Sequence, residues 1–366
     1  MNLLPDAEAF KRLVDGTARG TGPNLARLVL AGLSAPYGLV VGCRNAAYDR
    51  GLLYRARGAV PVVSVGNLTL GGTGKTPLVA WLARTVAARG VQPAIVSRGY
   101  GAARGQTSDE AAELAILLPD VPHVANRDRV AAVEKAAAAG AEVALLDDGF
   151  QHRRLARDLD IVAVDATDPF GCGHLFPRGL LRESLSGLAR AQAVVLTRAA
   201  AVDARRRSDI RRIFTEACGG GLPPVWMEAT HRPVRLRSAT SATQPLERLV
   251  STRVAAFAGI GNPTAFRASL TDLGANLVGF RPFPDHHAYT AADLDAIRDW
   301  AAGLRAELVV TTLKDLVKVR RDRLGEAPLF ALEIALEILP SGDSPASLET
   351  LLKPVLTRAI ERIPRR

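Results

Sequence analysis

From residue 62 onward, short apolar runs alternate with stretches whose apolar residues recur at helical spacing. That alternation predicts an α/β protein, a parallel sheet flanked by helices. The runs at 62–65, 94–96, 143–146, 161–164 and 193–196 predict strands, and the Ala/Leu-rich stretches 78–89, 111–117 and 130–139 predict helices. Across 223–245 the pattern shifts to Pro, Ser and Thr around two short extended pieces, 226–229 and 234–236, which marks a connection between domains. A second, smaller α/β unit follows, with strands at 254–258 and 308–311, a helix at 263–273 and a basic helical tail from 345. Ligands of such sheets gather beyond the carboxyl ends of the strands, so the residues just after each apolar run are the candidates for chemistry.

After the first run stands Thr69-Leu70-Gly71-Gly72-Thr73-Gly74-Lys75-Thr76-Pro77. Glycines let backbone N–H groups close around phosphate oxygens, Lys75 neutralises β/γ charge, and the Thr76 hydroxyl suits Mg²⁺. A helix starting there, with Pro77 in its first turn, aims its positive end at the same anion. Thr69 occupies the place where the usual phosphate-loop pattern has its first glycine. Residues 69–76 are therefore read as a nucleoside triphosphate site.

The 366 residues suffice for two cored domains, and 48% apolar with 23% charged content describes a soluble globular chain. A net charge of +10, mostly arginine, favours an anionic partner: nucleotide, anionic lipid or nucleic acid. Cys43, Cys172 and Cys218 form no C-x-x-C pair, which fits a reducing compartment better than a disulfide framework or a structural zinc site. No signal-peptide pattern is visible. Residues 28–43 carry no charge and are bracketed by Arg19 and Arg27 before and Arg44, Arg50, Arg55 and Arg57 after. The run is short for a membrane span and contains Pro36, so an interfacial anchor and a helix packed on the protein's own core stand level.

Other strand ends carry more chemistry. The fourth-strand pattern closes on Asp147-Asp148, where a phosphate-loop protein places its Mg²⁺-side acid. Gln151, Arg178, Arg182 and Glu183 follow. Ser97-Arg98-Gly99-Tyr100-Gly101 offers close backbone approach, and Asp109-Glu110 precedes a helix, where acidic residues ordinarily compensate the dipole. Asp285-His286-His287 fits proton handling by a His–carboxylate pair better than zinc, and Lys314 closes a strand of the second unit.

Together, Gly66-Asn67-Leu68-Thr69-Leu70-Gly71-Gly72-Thr73-Gly74-Lys75-Thr76-Pro77, Asp147-Asp148-Gly149-Phe150-Gln151-His152, Pro177-Arg178-Gly179, Gly259-Ile260-Gly261-Asn262-Pro263 and Pro284-Asp285-His286 closely resemble the tetraacyldisaccharide 4'-kinases, the lipid A 4'-kinases of Gram-negative bacteria. The resemblance spans nearly the whole chain. It implies ATP and Mg²⁺ as cofactors and transfer of the γ-phosphate to the 4'-hydroxyl of a lipid disaccharide 1-phosphate at the cytoplasmic face of the inner membrane. It also implies two α/β/α domains joined by a two-stranded linker, divided here as 1–57 (membrane-contacting helical segment), 58–225 (kinase core), 226–250 (linker) and 251–366 (second domain closing the cleft).

Carried over by position, Lys75 and Asp148 are catalytic with Asp109 as base and His286 as its partner. Thr76, Asp147, Asp148 and Glu183 lie on the metal side. Asn67, Arg98, Arg127, Gln151 and Arg182 are candidate substrate contacts. At Asp109 the chain departs from the family motif, with Ser108 for glycine and Ala111 for proline. The resemblance favours an anionic membrane surface as partner, with no nucleic acid and no obligate protein partner.

One rival is a partitioning-type ATPase that binds surfaces. Such proteins carry an extra lysine where this chain has Leu70. A nucleic-acid-dependent ATPase rests on the basic charge alone, without an aromatic-interleaved patch or a recognition motif.

Overall fold

The computed structural model describes residues 7–99, 108–221, 225–340 and 348–361; Tyr100 and Gly101 of the glycine pair fall outside them. In chain order the elements are α1 (Ala7–Val14), α2 (Thr21–Asp49), β1 (Val62–Gly66), α3 (Lys75–Ala87), β2 (Pro93–Ser97), α4 (Asp109–Leu117), β3 (His123–Ala125), α5 (Arg129–Ala138), β4 (Val143–Asp147), β5 (Leu159–Asp165), β6 (Ala193–Thr197) and α6 (Ala204–Ala217). There follow β7 (Val225–Arg237), β8 (Thr243–Gln244), β9 (Arg253–Ala258), α7 (Pro263–Asp272), β10 (Asn276–Pro282), α8 (Ala291–Gly303), β11 (Leu308–Thr312), α9 (Leu313–Val319), β12 (Arg323–Leu324), β13 (Ala327–Ile338) and α10 (Leu348–Glu361).

All five apolar runs of the first half are strands. β1, β2, β4, β5 and β6 are buried at every position, which is why they read as continuous apolar runs and not as alternating ones. Their order in the first unit is β7-β6-β5-β1-β4-β2-β3, with every neighbouring pair parallel. β1 therefore lies between β4 and β5, and Val65 sits in register with Asp147 on one side and Ile161 on the other. Leu68, Phe150, Val162, Leu196 and Phe214 pack one face, and Val62, Val96, Val133, Leu146 and Leu155 pack another. Side-chain caps start the helices where the sequence supplies them. Asp128 accepts the Val130 and Ala131 N–H groups ahead of α5, and Thr290 with Asp293 closes a capping box on α8.

The second unit has the strand order β10-β9-β11-β13-β7, with β10, β9, β11 and β13 parallel in succession. Its core is Leu236, Val254, Ala256, Leu270, Val310 and Phe330. β7 and β13 are the strands through which the chain passes from one unit to the other. Neither unit follows a contiguous stretch of sequence, contrary to the spans 58–225 and 251–366. Residues 108–117 belong to the second unit because α4 packs on α9. The tail belongs to the first because α10 buries Leu352, Val355 and Leu356 there and pairs Glu349 with Arg89 and Arg358 with Asp158. The two short extended pieces expected near 226 and 234 are one thirteen-residue strand, β7, with Pro233 inside it.

Pro36 does not interrupt the apolar N-terminal stretch. α2 is a single helix of 29 residues, about 43 Å long at 1.5 Å per residue, with Pro36 within it. Contacts on one side hold it across the lost backbone bond. Ser34 Oγ donates to the carbonyls of Leu30 and Leu175, Tyr37 donates its hydroxyl to Arg182 O at 2.8 Å, and Gly38 lies so close to Leu175 that a Cβ would meet it at 2.8 Å. The other side is bare: Leu28 and Leu39 are 70% and 68% exposed, and Leu25, Val29, Leu33 and Val40 are exposed beside them. By length and composition α2 can cross a membrane.

Candidate active site

β1 ends at Gly66, and the chain turns through Asn67–Gly74 into α3. Gly71 and Gly74 take positive φ values of 107° and 77° that only glycine adopts without strain. A Cβ on Gly71 or Gly72 would meet nothing within 4 Å, whereas on Gly74 it would strike the His231 ring. The loop is held from behind by residues that the sequence reading passed over. Thr197 Oγ1 donates to Thr73 O at 2.8 Å, and Arg198 donates to Gly72 O at 3.0 Å while pairing with Asp165. Thr197-Arg198 directly follows the β6 apolar run, so the strand-end rule already pointed to it. His231 Nε2 and Thr73 Oγ1 are buried without a hydrogen-bond partner. Burial, reinforced by Arg198, lowers the His231 pKa to about 4, so the imidazole against the loop is neutral near pH 7.

Lys75 opens α3 and reaches back. Its Nζ lies 3.2 Å from Asn67 Oδ1 and 3.4 Å from Asp148. Asn67 is fully buried, and its amide also donates to Thr69 O, so it positions Lys75 and the loop and is not an outward substrate contact. Segment 180–182 pairs with the loop through Leu70 N–H to Leu180 O and Arg182 N–H to Leu68 O. That brings Arg182 onto Asp148, one nitrogen meeting both carboxylate oxygens at 2.8 and 2.9 Å. Asp148 itself has φ +56°, a left-handed conformation that aspartate tolerates. Burial works to raise its pKa, but Lys75 and Arg182 outweigh it and hold the carboxylate below its usual range.

Gln151 donates to Asn67 O and to Glu183, whose carboxylate also accepts from Asn45 of α2 and from Arg190. Glu183 is thereby filled by protein donors. Asp147 is buried at the end of β4, and Arg129, itself buried, donates to its carbonyl. Arg98, beyond β2, and Arg127, ahead of α5, are exposed.

The loop fits a polyphosphate: glycine backbone opening outward, an orphaned Thr73 hydroxyl, a helix start and a cation. Thr76, Asp147 and Asp148 are hard-oxygen donors suited to Mg²⁺. Among the described residues no three His, Cys, Asp or Glu converge as a metal site. All three cysteines are free thiols.

Asp109 and His286 belong to the second unit, which brings them together across 177 positions of sequence: His286 Nδ1 is 3.4 Å from Asp109 Oδ2. Asp109 begins α4, where Ser108 Oγ accepts the Ala111 N–H, so the residue departing from the family glycine serves as a helix cap. α9 adds two lysines. Lys314 Nζ lies 2.8 Å from Asp285 and 3.2 Å from His286 Nε2, and Lys318 lies 3.0 Å from buried Asp315 and 4.0 Å from Asp109. The second histidine of the pair has a different duty: His287 bonds Asp293 at 3.2 Å and packs against Phe283 at a tilt and Tyr289 edge-on.

A central parallel strand, a glycine loop and a lysine at the start of the following helix define a phosphate-loop nucleotide-binding protein of the α/β class. The family model for tetraacyldisaccharide-1-P 4'-kinase matches residues 26–356, and the chain belongs to that family. It is 43% identical over 346 residues to the tetraacyldisaccharide 4'-kinase of Anaeromyxobacter sp. strain Fw109-5, covering 89% of this chain and 91% of that one. The namesake in Geobacter sulfurreducens is 37% identical over 376 residues, with 95% and 98% covered. Among solved structures, LpxK of Aquifex aeolicus in complex with ATP has a TM-score of 0.68 at 30% identity, covering 90% of this chain and 99% of that one. Family membership sets aside the surface-binding ATPase that the glycine loop also resembles.

Proposed function

We infer that this chain is an ATP-dependent kinase of lipid A biosynthesis, transferring the γ-phosphate to the 4'-hydroxyl of tetraacyldisaccharide 1-phosphate. The observation that carries this is Lys75 poised between Asn67 and Asp148 at the mouth of the glycine loop, in a chain of this family. Residues 69–76 hold the triphosphate, and Lys75 offsets the charge that builds on the β/γ oxygens. The acceptor oxygen bonds to the γ-phosphorus, the bond to the β-bridging oxygen breaks, ADP leaves, and Asp109 takes the hydroxyl proton. His286 steadies Asp109. Thr76, Asp147 and Asp148 would hold Mg²⁺, which when bound neutralises phosphate charge. Glu183 acts at one remove, anchoring Gln151.

Arg98, Arg127, Gln151 and Arg182 are the proposed contacts for the anionic sugar. The bare apolar side of α2, within segment 1–57, rests in the cytoplasmic face of the inner membrane and keeps the acyl chains of the acceptor in lipid. Residues 69–76 of the first unit carry the nucleotide, and Asp109 with His286, both of the second unit, supply the base and its partner. No protein partner or nucleic acid takes part.

The test is a purified-protein assay with γ-labelled ATP and the disaccharide acceptor, with Mg²⁺ or with EDTA. Label should enter the lipid only with Mg²⁺, and Lys75→Ala and Asp109→Ala should each reduce transfer at least a hundredfold while melting like the parent. A lipid unchanged in mass overturns the activity, and near-normal turnover by Asp109→Ala moves the base to Asp148.

A further inference from the structure

The Asp109–His286 pair sits in a chain of alternating charge. Asp285 and Lys314 stand on one side of the imidazole, and Asp109 and Lys318 on the other. The His286 backbone is pinned at φ +62°, its N–H donating to Asp285 Oδ1 at 3.0 Å and to Gly259 O at 3.3 Å. The imidazole has Lys314 at Nε2 and Asp109 at Nδ1, one nitrogen facing each side.

An ammonium group has three donors and no lone pair. With Lys314 Nζ 3.2 Å away, Nε2 of His286 must accept, and the one N–H of a neutral imidazole then sits on Nδ1, pointing at Asp109. Asp285 Oδ1 is 4.0 Å from Nε2 and 2.8 Å from the Lys314 nitrogen. Without the lysine, nothing would hold Nε2 as an acceptor, and Asp285 could compete with Asp109 for a ring proton, so Nε2–H and doubly protonated forms would join the Nδ1–H form. Lys318 faces Asp109 at 4.0 Å and buried Asp315 at 3.0 Å, and His287 is engaged with Asp293; none of these reaches Nε2.

We propose that Lys314 is a positioning residue that fixes His286 as the Nδ1–H tautomer, so that its ring proton orients Asp109 as the acceptor of the substrate proton. The tautomer stands on geometry alone, and its use rests on Asp109 being the base. His286 then donates to the base and does not itself deprotonate the sugar.

Full-length protein with ¹⁵N-labelled histidine reports the tautomer directly by imidazole ¹⁵N shifts at pH 7.5, with His286 assigned by the signals lost in His286→Gln. The parent should show Nδ1–H. Lys314→Met should lose the pure Nδ1–H signature to a mixture with Nε2–H or doubly protonated ring and lose about tenfold in kcat with KM for ATP within twofold, and Lys314→Arg should restore both tautomer and rate. An Nε2–H or doubly protonated ring in the parent overturns the proposal, as does a purely Nδ1–H ring in Lys314→Met. Because the spectrum needs no substrate, an Nδ1–H ring in a protein that transfers no phosphate would refute the kinase function and leave the tautomer assignment standing.

Discussion

Gly74→Ala puts a methyl group where the phosphate loop meets β7. Its Cβ would lie 2.6 Å from His231 Nε2 and 2.7 Å from Cε1, so ring or loop must give way by roughly 1 Å to reach ordinary contact. The ring is packed behind the loop, and overfilling such a site costs about 1–3 kcal/mol. The φ of +77° adds about 1–2 kcal/mol for any residue with a Cβ. Together these cost about 3 kcal/mol, a fall of roughly 6 °C or more in the melting temperature for a unit of this size. Because the loop yields more easily than the β7 backbone, ATP affinity should fall as well. Thermal melts and ATP titration of the parent, Gly74→Ala, His231→Ala and the double variant separate the two costs. Removing the ring should return the steric part and leave the φ part, a coupling of about 1 kcal/mol or more. A Gly74→Ala protein that melts with the parent and binds ATP as tightly would show that neither the close approach nor the backbone conformation matters.

Two other perturbations test other parts of the molecule. Burial first, then cationic neighbours, lowers both His231 and His152 from 6.5 to about 4. The unfolded chain therefore binds protons that the fold refuses, and stability should fall as pH drops from about 6.5 to 4, by about 3 kcal/mol at the acid end for buried His231 and by less for half-buried His152. Urea midpoints at pH 7.5 and 5 should show a shallower loss for His231→Leu than for the parent, and parallel losses would refute the assignment. On α2, Leu28→Asp with Leu39→Asp leaves the docked side untouched and removes two exposed leucines. At about 1.5–3 kcal/mol for each buried leucine, sedimentation with anionic vesicles should weaken at least a hundredfold, and unchanged recovery would remove the membrane role of that face.

The phosphate loop was legible in the sequence because its parts are local. A strand buried on both faces must be a continuous apolar run, a loop around phosphate needs glycines, and the lysine follows within one turn. The acids after β4 and the Arg182-Glu183 pair could be found by the same strand-end rule. The helix through Pro36 is not legible in the sequence because a lost backbone bond is local, whereas the contacts that tolerate it come from Leu175 and Arg182, far along the chain.

Periodicity and the glycine–lysine motif at 69–76 determined by themselves that this is an α/β phosphate-loop protein with a second domain, since burial and backbone geometry constrain residue type position by position. Only the tertiary structure decided that α4 leaves the first unit for α9, that the tail returns to β5, that Glu183 is filled by Asn45, Gln151 and Arg190, and that two lysines of one helix flank Asp109 and His286. Those are pairings between side chains distant in sequence. No single segment encodes them, because the energy that selects them exists only once the chain has brought both partners to the same place.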